Sequence, residues 1–352
     1  MIRVGTQPAG YELLRNLLLA FLMWAHGSAC AQDVLRILTW PGYADPDLVK
    51  RFEQRHEVEV QISYIASDDD LWQRLHVNGG ADFDLFAVNT AELQRYIKAG
   101  LSVPIDLQNI PNRAHQLPRF KGLASVPGIV HGGRAYAVPY TYSEMGLIYD
   151  RAKVDTPPTS MAAMWDPRYR GRVLAFDTSN HNFTVAGLLL GAGNPFQLTP
   201  LEMGKAVLEL VRLRRNVLTL YKSPEQAVEL YRENDVALIF GNYGAQQVLQ
   251  LRQQGADVGY VIPEEGALAW LDCWVLSVGV VNKRLAELWI NYTLEPQVSG
   301  QLTKRHGLAN TLSAAPGLEQ ADKIIWLQPL EDFAKRTELW SRIRSGDLMH
   351  EF

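Results

Sequence analysis

The sequence predicts an α/β protein with two lobes, each a sheet flanked by helices, and a cleft between them. Three observations carry this. Short β-type runs alternate with helical ones along nearly the whole chain, as in domains with mostly parallel sheets. About 320 residues remain once an N-terminal export segment is set aside, more than one ordinary core holds. No stretch rich in Pro, Gly and Ser separates the two blocks, so they are expected to be joined by crossing strands rather than strung as independent domains.

The elements follow in order. Residues 35–39 read as a buried strand, Asp45-Pro46 opens a helix through Phe52, and Val58, Val60, Ile62 and Tyr64 alternate as a second strand. Ser67-Asp68-Asp69-Asp70 precedes the amphipathic segment 71–77, where acidic groups suit a helix N-terminus; capping is preferred to a metal site because no ligand spacing accompanies it. Residues 83–87 form a strand and 90–99 a helix capped by Asn89 or Thr90, and residues 136–140 end the first block. The second block reads as strand 173–176, helices 184–190 and 201–213, strand 236–240, helix 244–254 and strand 258–262. An apolar strand over 274–281 and helices over 284–294, 297–304 and 331–344 complete the chain.

The N-terminus carries an export signal. Arg3 and Arg15 precede the apolar residues 17–25, and Ala29-Cys30-Ala31 is a small-residue cleavage site. Nine apolar residues are too few for a span that needs about 20, so cleavage after Ala31 is expected, with lipidation of Cys30 the alternative. The rest is read as a monomer outside the cytoplasm, in a periplasm. The net charge is −4, or −5 without Arg3, Glu12 and Arg15, which lacks the basic footprint of nucleic-acid binding. Cys273 is then the only cysteine, so no intrachain disulfide is expected.

Catalytic constellations are missing from the sequence: no Gly-x-Ser-x-Gly elbow, His-Glu-x-x-His, phosphate loop or dinucleotide fingerprint. His131-Gly132-Gly133 has no nucleophile motif to serve and reads as a surface turn, and Cys273 reads as a small core residue. No enzyme, cofactor or metal is expected. What stands out is a set of aromatics at strand ends: Trp40 and Tyr43, Phe240 and Tyr243, and Trp270 with Asp272. Ligands in such folds sit beyond strand carboxyl ends. Rings plus a carboxylate form a receptor for an ammonium group through cation–π attraction and charge-assisted hydrogen bonds.

At these residues the chain resembles the spermidine/putrescine-binding proteins of bacterial ABC transporters, in order from about Leu35 to Gly346. The resemblance rests on Leu38-Thr39-Trp40-Pro41-Gly42-Tyr43, Phe83-Asp84-Leu85, Val138-Pro139-Tyr140-Thr141-Tyr142, Trp165-Asp166-Pro167-Arg168-Tyr169-Arg170-Gly171, and Ile262-Pro263-Glu264-Glu265-Gly266-Ala267 through Trp270-Leu271-Asp272. It implies the two-lobed periplasmic binding protein fold, closing on a polyamine whose methylenes lie between rings and whose ammonium groups meet carboxylates. Trp40, Tyr43, Trp270 and Asp272 match pocket positions, Phe240 replaces a tryptophan, and Asn89 stands where serine is frequent. The departures concern charge. Thr178 and His181 occupy contact positions where relatives place acids, Gly42 and Tyr243 replace aspartates, and Leu308 replaces a tyrosine. Glu144, just after the crossing strand, is either a second pocket carboxylate or an outward-facing residue.

The implied organisation is a signal peptide over 1–31, one lobe of 32–139 plus 273–315, and another of 140–272 plus 316–352. The implied function is capture of a polyamine or related small amine for an inner-membrane ABC permease. Two alternatives stay open: a sensor docking on a membrane signalling protein, and a binder of a zwitterionic ω-amino acid.

Overall fold

The computed structural model describes residues 33–65, 67–126, 128–313 and 323–346; the expected signal peptide, with Cys30, lies outside them. Strands and helices alternate first as β1 (Val34–Thr39), α1 (Pro46–His56), β2 (Glu59–Tyr64), α2 (Asp68–Val77), β3 (Leu85–Asn89) and α3 (Thr90–Lys98). Their starts are written in the sequence. Pro46 needs no N–H partner in the first turn of α1, the Ser67 hydroxyl accepts from Asp70 N at the start of α2, and the Asn89 side chain accepts from Glu92 N at the start of α3. The Ser67-to-Asp70 segment thus caps a helix, as read from its sequence.

After β4 (Ser102–Val103) and the short α4 (Pro118–Lys121), β5 (Val130–His131) and β6 (Arg134–Ala135) form a hairpin. Gly132 and Gly133 turn it at φ of 56° and 72°, so His131-Gly132-Gly133 is a tight turn. Then comes β7 (Ala137–Asp150), 14 residues and buried throughout. The second block holds β8 (Val173–Phe176), α5 (Ser179–Leu189), α6 (Pro200–Asn216), β9 (Val217–Tyr221), α7 (Pro224–Glu233), β10 (Leu238–Gly241), α8 (Gly244–Gln253) and β11 (Val258–Val261). The chain returns through β12 (Ala267–Ser277), α9 (Lys283–Thr293), α10 (Pro296–His306), β13 (Ala309–Asn310), β14 (Ile324–Trp326) and α11 (Phe333–Ser345).

The strands run in the order β2-β1-β3-β12-β7-β10-β8-β9, with β11 and β13 also on β7, and β4 and β14 on β12. Parallel pairs β1/β2, β1/β3, β8/β9 and β8/β10 lie towards the two ends, and the central strands β3, β12, β7 and β10 pair antiparallel. The strand β7 belongs to both halves: residues up to Met145 pair with β12, and from Gly146 onward with β10. Only glycine fits at this change of partner, since a Cβ on Gly146 would collide with the Val261 carbonyl oxygen and the Tyr260 ring. Helices cover each half-sheet on both faces. Ile37, Phe52, Trp274 and Trp289 lie in one core of the first half and Leu38, Phe86, Tyr96 and Cys273 in the other. Leu147, Phe183, Leu210 and Phe240 lie in one core of the second half and Ile148, Leu174, Tyr221 and Leu251 in the other.

The structure departs from the sequence reading at the crossings. The first block does not end at Tyr140. Pro139 suggests a stop, but it sits at a register shift opposite Cys273, where the ladder makes no demand on its missing N–H, and the strand continues. The final strand starts at Ala267 rather than Trp274, because Asp272 and the small Ala267 and Ala269 obscure the apolar pattern of residues that are nonetheless paired on both sides. Helix α5 begins at Ser179, five residues before Thr184, with the Asn182 amide bonding the Phe176 and Thr178 carbonyls. Strand β9 and helix α7 carry a Ser223-Pro224 start signal that the reading passed over.

Candidate functional site

The site begins where β1 ends. Thr39 leads into Trp40-Pro41-Gly42-Tyr43, and Gly42, at φ 87°, reverses the chain so that Tyr43 N bonds Trp40 O at 3.3 Å. The His306 ring packs where a Gly42 side chain would stand, at 3.3 Å from an ideal Cβ. This turn sends Tyr43 inward. Its hydroxyl donates to Asp272 Oδ2 at 2.6 Å, its ring meets Tyr140 edge-on at 5.6 Å, and Tyr140 donates to the Tyr43 carbonyl at 3.2 Å.

Asp272 lies on β12 opposite Asn89 of β3 and Thr141 of β7, at the register shift. It is 6% exposed, and burial pushes its carboxyl up to about 7, with the Tyr43 hydrogen bond pulling the other way. Among the described residues no Lys, Arg or His forms an ion pair with it.

Around it stand residues from both halves. Asn89 donates to Asp68 Oδ1 at 3.2 Å while its own oxygen caps α3. Trp270, two residues before Asp272 and therefore on the same face of β12, packs against cores of both halves, and its Nε1 donates to Asn242 O at 3.3 Å. His181 Nδ1 lies 2.8 Å from Asn242 Oδ1, which requires the proton on Nδ1 and leaves a lone pair on Nε2. Burial depresses the His181 pKa to about 4, so the ring is neutral near pH 7. A cleft of about 300 Å³ separates Asp68, Asn89 and Arg95 on the first half from Asn180, His181 and Thr184 on the second. Trp40 packs between the two first-half cores, with its Nε1 buried and unbonded.

The remaining sequence candidates divide. Phe176 stacks on His181 at 6.2 Å and meets Tyr243 edge-on at 5.5 Å, so these two share one wall; the Tyr243 hydroxyl donates to Lys222 O at 3.1 Å. Thr178 sits at the N-cap of α5, half-buried, without a side-chain cap bond. Phe240 is not a cleft wall: strand alternation turns it into the core with Leu147 and Phe183, fully buried. Glu144 is not a companion to Asp272. Glu144 pairs with Ala269 and Asp272 with Thr141, three positions apart, so the side chains leave opposite faces of the β7–β12 pair. Burial pushes Glu144 up to about 7, with Tyr260 and Arg119 pulling it back. Leu308 is a buried core residue.

Sequence reasoning missed Asn242 and Asp68. Asn242 lies between the two aromatics that drew attention, and nothing in its identity marks it as the group that ties Trp270 to His181. Asp68 was read as a helix-start acid, which it is, while also facing the cleft. Asp177, next to Thr178, is already engaged: Oδ1 accepts from Trp340 Nε1 at 2.9 Å, and Oδ2 lies 2.8 Å from Arg344 and 3.9 Å from Lys222.

Two flanked half-sheets joined by continuous strands, with a buried carboxyl at the seam, define a two-lobed solute-binding fold. The chain belongs to the bacterial extracellular solute-binding protein family, matching it over residues 47–326. It is 26% identical over 298 residues to the spermidine/putrescine-binding periplasmic protein of Escherichia coli K12, covering 83% of this chain and 82% of that one. It is 25% identical to the putrescine/agmatine-binding protein of Pseudomonas aeruginosa, over 92% of this chain and 95% of that one. The crystal structure of the TpPotD lipoprotein of Treponema pallidum superposes with a TM-score of 0.77 at 19% identity, over 89% of this chain and 100% of that one.

Proposed function

We propose that this protein captures a small amine of the polyamine class in the periplasm and delivers it to an ABC permease, without chemical turnover. The observation that carries the reading is Asp272: buried, hydrogen-bonded by Tyr43, without an ion-pair partner among the described residues, and on the same face of β12 as Trp270. An ammonium group supplies the missing charge, and the rings hold its methylenes. Relatives named for spermidine, putrescine and agmatine support the ligand class.

Binding acts through closure. The lobes turn about β7 and β12, with the β7 division between Met145 and Gly146 rather than at residues 139 and 140. A ligand that touches Asp272 on one side and the His181–Asn242 wall on the other favours the closed state because only that state offers both contacts. Thermal unfolding with and without putrescine tests the reading. At 100 times its dissociation constant the ligand stabilises by about 2.7 kcal/mol, and no shift with putrescine, spermidine or other amines overturns it.

A further inference from the structure

The two walls of the cleft differ in charge, and the difference specifies the ligand beyond its class. This inference rests on the amine-binding reading above. On the first wall Asp272, across from Asn89, accepts from Tyr43 and has no ion-pair partner among the described residues, while Asp68, Glu92, Arg95 and Lys98 line the cleft and Arg95 is paired with Glu92. On the second wall the described acids Asp177, Glu331 and Glu144 are engaged or turned away. Asp177 holds Trp340, Arg344 and Lys222. Glu331 is bound by both the Nε and one terminal nitrogen of Arg336, each at 2.8 Å. Glu144 leaves the opposite face of its strand.

The cations of that wall are engaged as well. Arg336 is fully buried and donates to Glu331, to Thr184 Oγ1 at 2.9 Å and to the Pro195 carbonyl at 3.0 Å. Arg344 and Lys222 belong to Asp177. What faces the cleft is uncharged: the Asn180 side chain, and His181 with its Nδ1 proton given to Asn242. A second ammonium would be desolvated there without a carboxylate, and a carboxylate would find no cation lining that wall among the described residues, Arg95 and Lys98 lying on the facing one with Arg95 already paired to Glu92. An amide N–H or a hydroxyl meets a different situation, since the Nε2 lone pair of a neutral imidazole is an acceptor suited to it.

We propose that the ligand carries one positive charge, seated at Asp272, and an uncharged hydrogen-bonding group at its other end, seated at His181 and Asn180. Mono-acylated diamines and amino alcohols have this chemistry. Putrescine and spermidine carry an extra ammonium, and ω-amino acids an extra carboxylate.

Competition calorimetry on the purified protein with N-acetylputrescine, putrescine, spermidine and 4-aminobutyrate tests the proposal. N-Acetylputrescine is expected to bind at least about tenfold more tightly than the other three, the scale set by one unmatched charge. Putrescine, spermidine or 4-aminobutyrate binding as tightly or better overturns the inference and leaves the amine-binding reading standing; silence towards all four overturns both. A second arm places an acid on the neutral wall. In His181→Glu, putrescine should gain about tenfold while N-acetylputrescine loses its advantage. A folded variant, judged by circular dichroism, with an unaltered preference refutes the assignment of the far end to His181.

Discussion

Asp272 and Glu144 stand on adjacent strands, three register positions apart, and leave opposite faces of the pair. Both are nearly sealed from solvent, and burial pushes each up to about 7. Both have a tyrosine neighbour: Tyr43 for Asp272, Tyr260 for Glu144. The alternation of the strand sends one to the face that carries Trp270 and meets Tyr43, and the other to the opposite face with Tyr260 and Arg119. The comparison teaches that a shifted carboxyl is not by itself a binding group. Burial sets the shift, and the face of the strand decides whether a ligand can use it.

The strongest way to break the comparison is Asp272→Asn. Removing one partner of a buried charge pair costs about 2–5 kcal/mol of binding, so the amine dissociation constant should rise by roughly 30-fold or more. Calorimetry reads the affinity, and thermal unfolding without ligand shows that the fold survives. Affinity equal to that of the unsubstituted protein returns Asp272 to a purely structural role.

The pH dependence sharpens it. Asp272 must be ionised to pair with an ammonium, so from its value of about 7 the dissociation constant should rise about tenfold between pH 8 and pH 6. Asp272→Asn should abolish this slope and Glu144→Gln should leave it. The same slope in both variants would place the proton elsewhere.

The smallest effect on binding is expected from Glu144→Gln, with affinity within about threefold, because the residue leaves the strand face opposite to Asp272. Stability is where it acts. The folded pKa of about 7 lies above the ordinary 4.5, so the folded state holds the extra proton between those values. Its stabilising contribution is present below about pH 4.5 and is lost as pH rises through 7. Glutamine never ionises, so the variant should lose less stability than the parent between pH 5 and pH 8, by up to roughly 3 kcal/mol. Chemical denaturation at the two pH values measures the difference; equal losses would mean that Glu144 is not buried in solution.

Much of the fold and part of the site were legible in the sequence, and the division follows range. Helix starts at Pro46, Ser67 and Asn89 are local, and so is the strand-end position of Trp40 and Tyr43. Trp270 and Asp272 could be picked out because two residues on one strand share a face whatever the strand pairs with. Glu144 could not be placed, since its face relative to Asp272 depends on the register of two strands far apart in the chain. Nor could the sequence show that α11 brings Arg344 and Trp340 back to Asp177. Phe240 was misread by counting it as a strand end, when β10 runs on through Gly241 and turns the ring into the core.

The passage of β7 through both halves also bears on how the molecule comes apart. Residues 137–145 stack on β12 and residues 146–150 on β10 and β11, with Gly146 leaving no slack between them. Neither half can lose its central ladder without withdrawing a strand from the other. The two lobes should therefore melt together as a single cooperative unit.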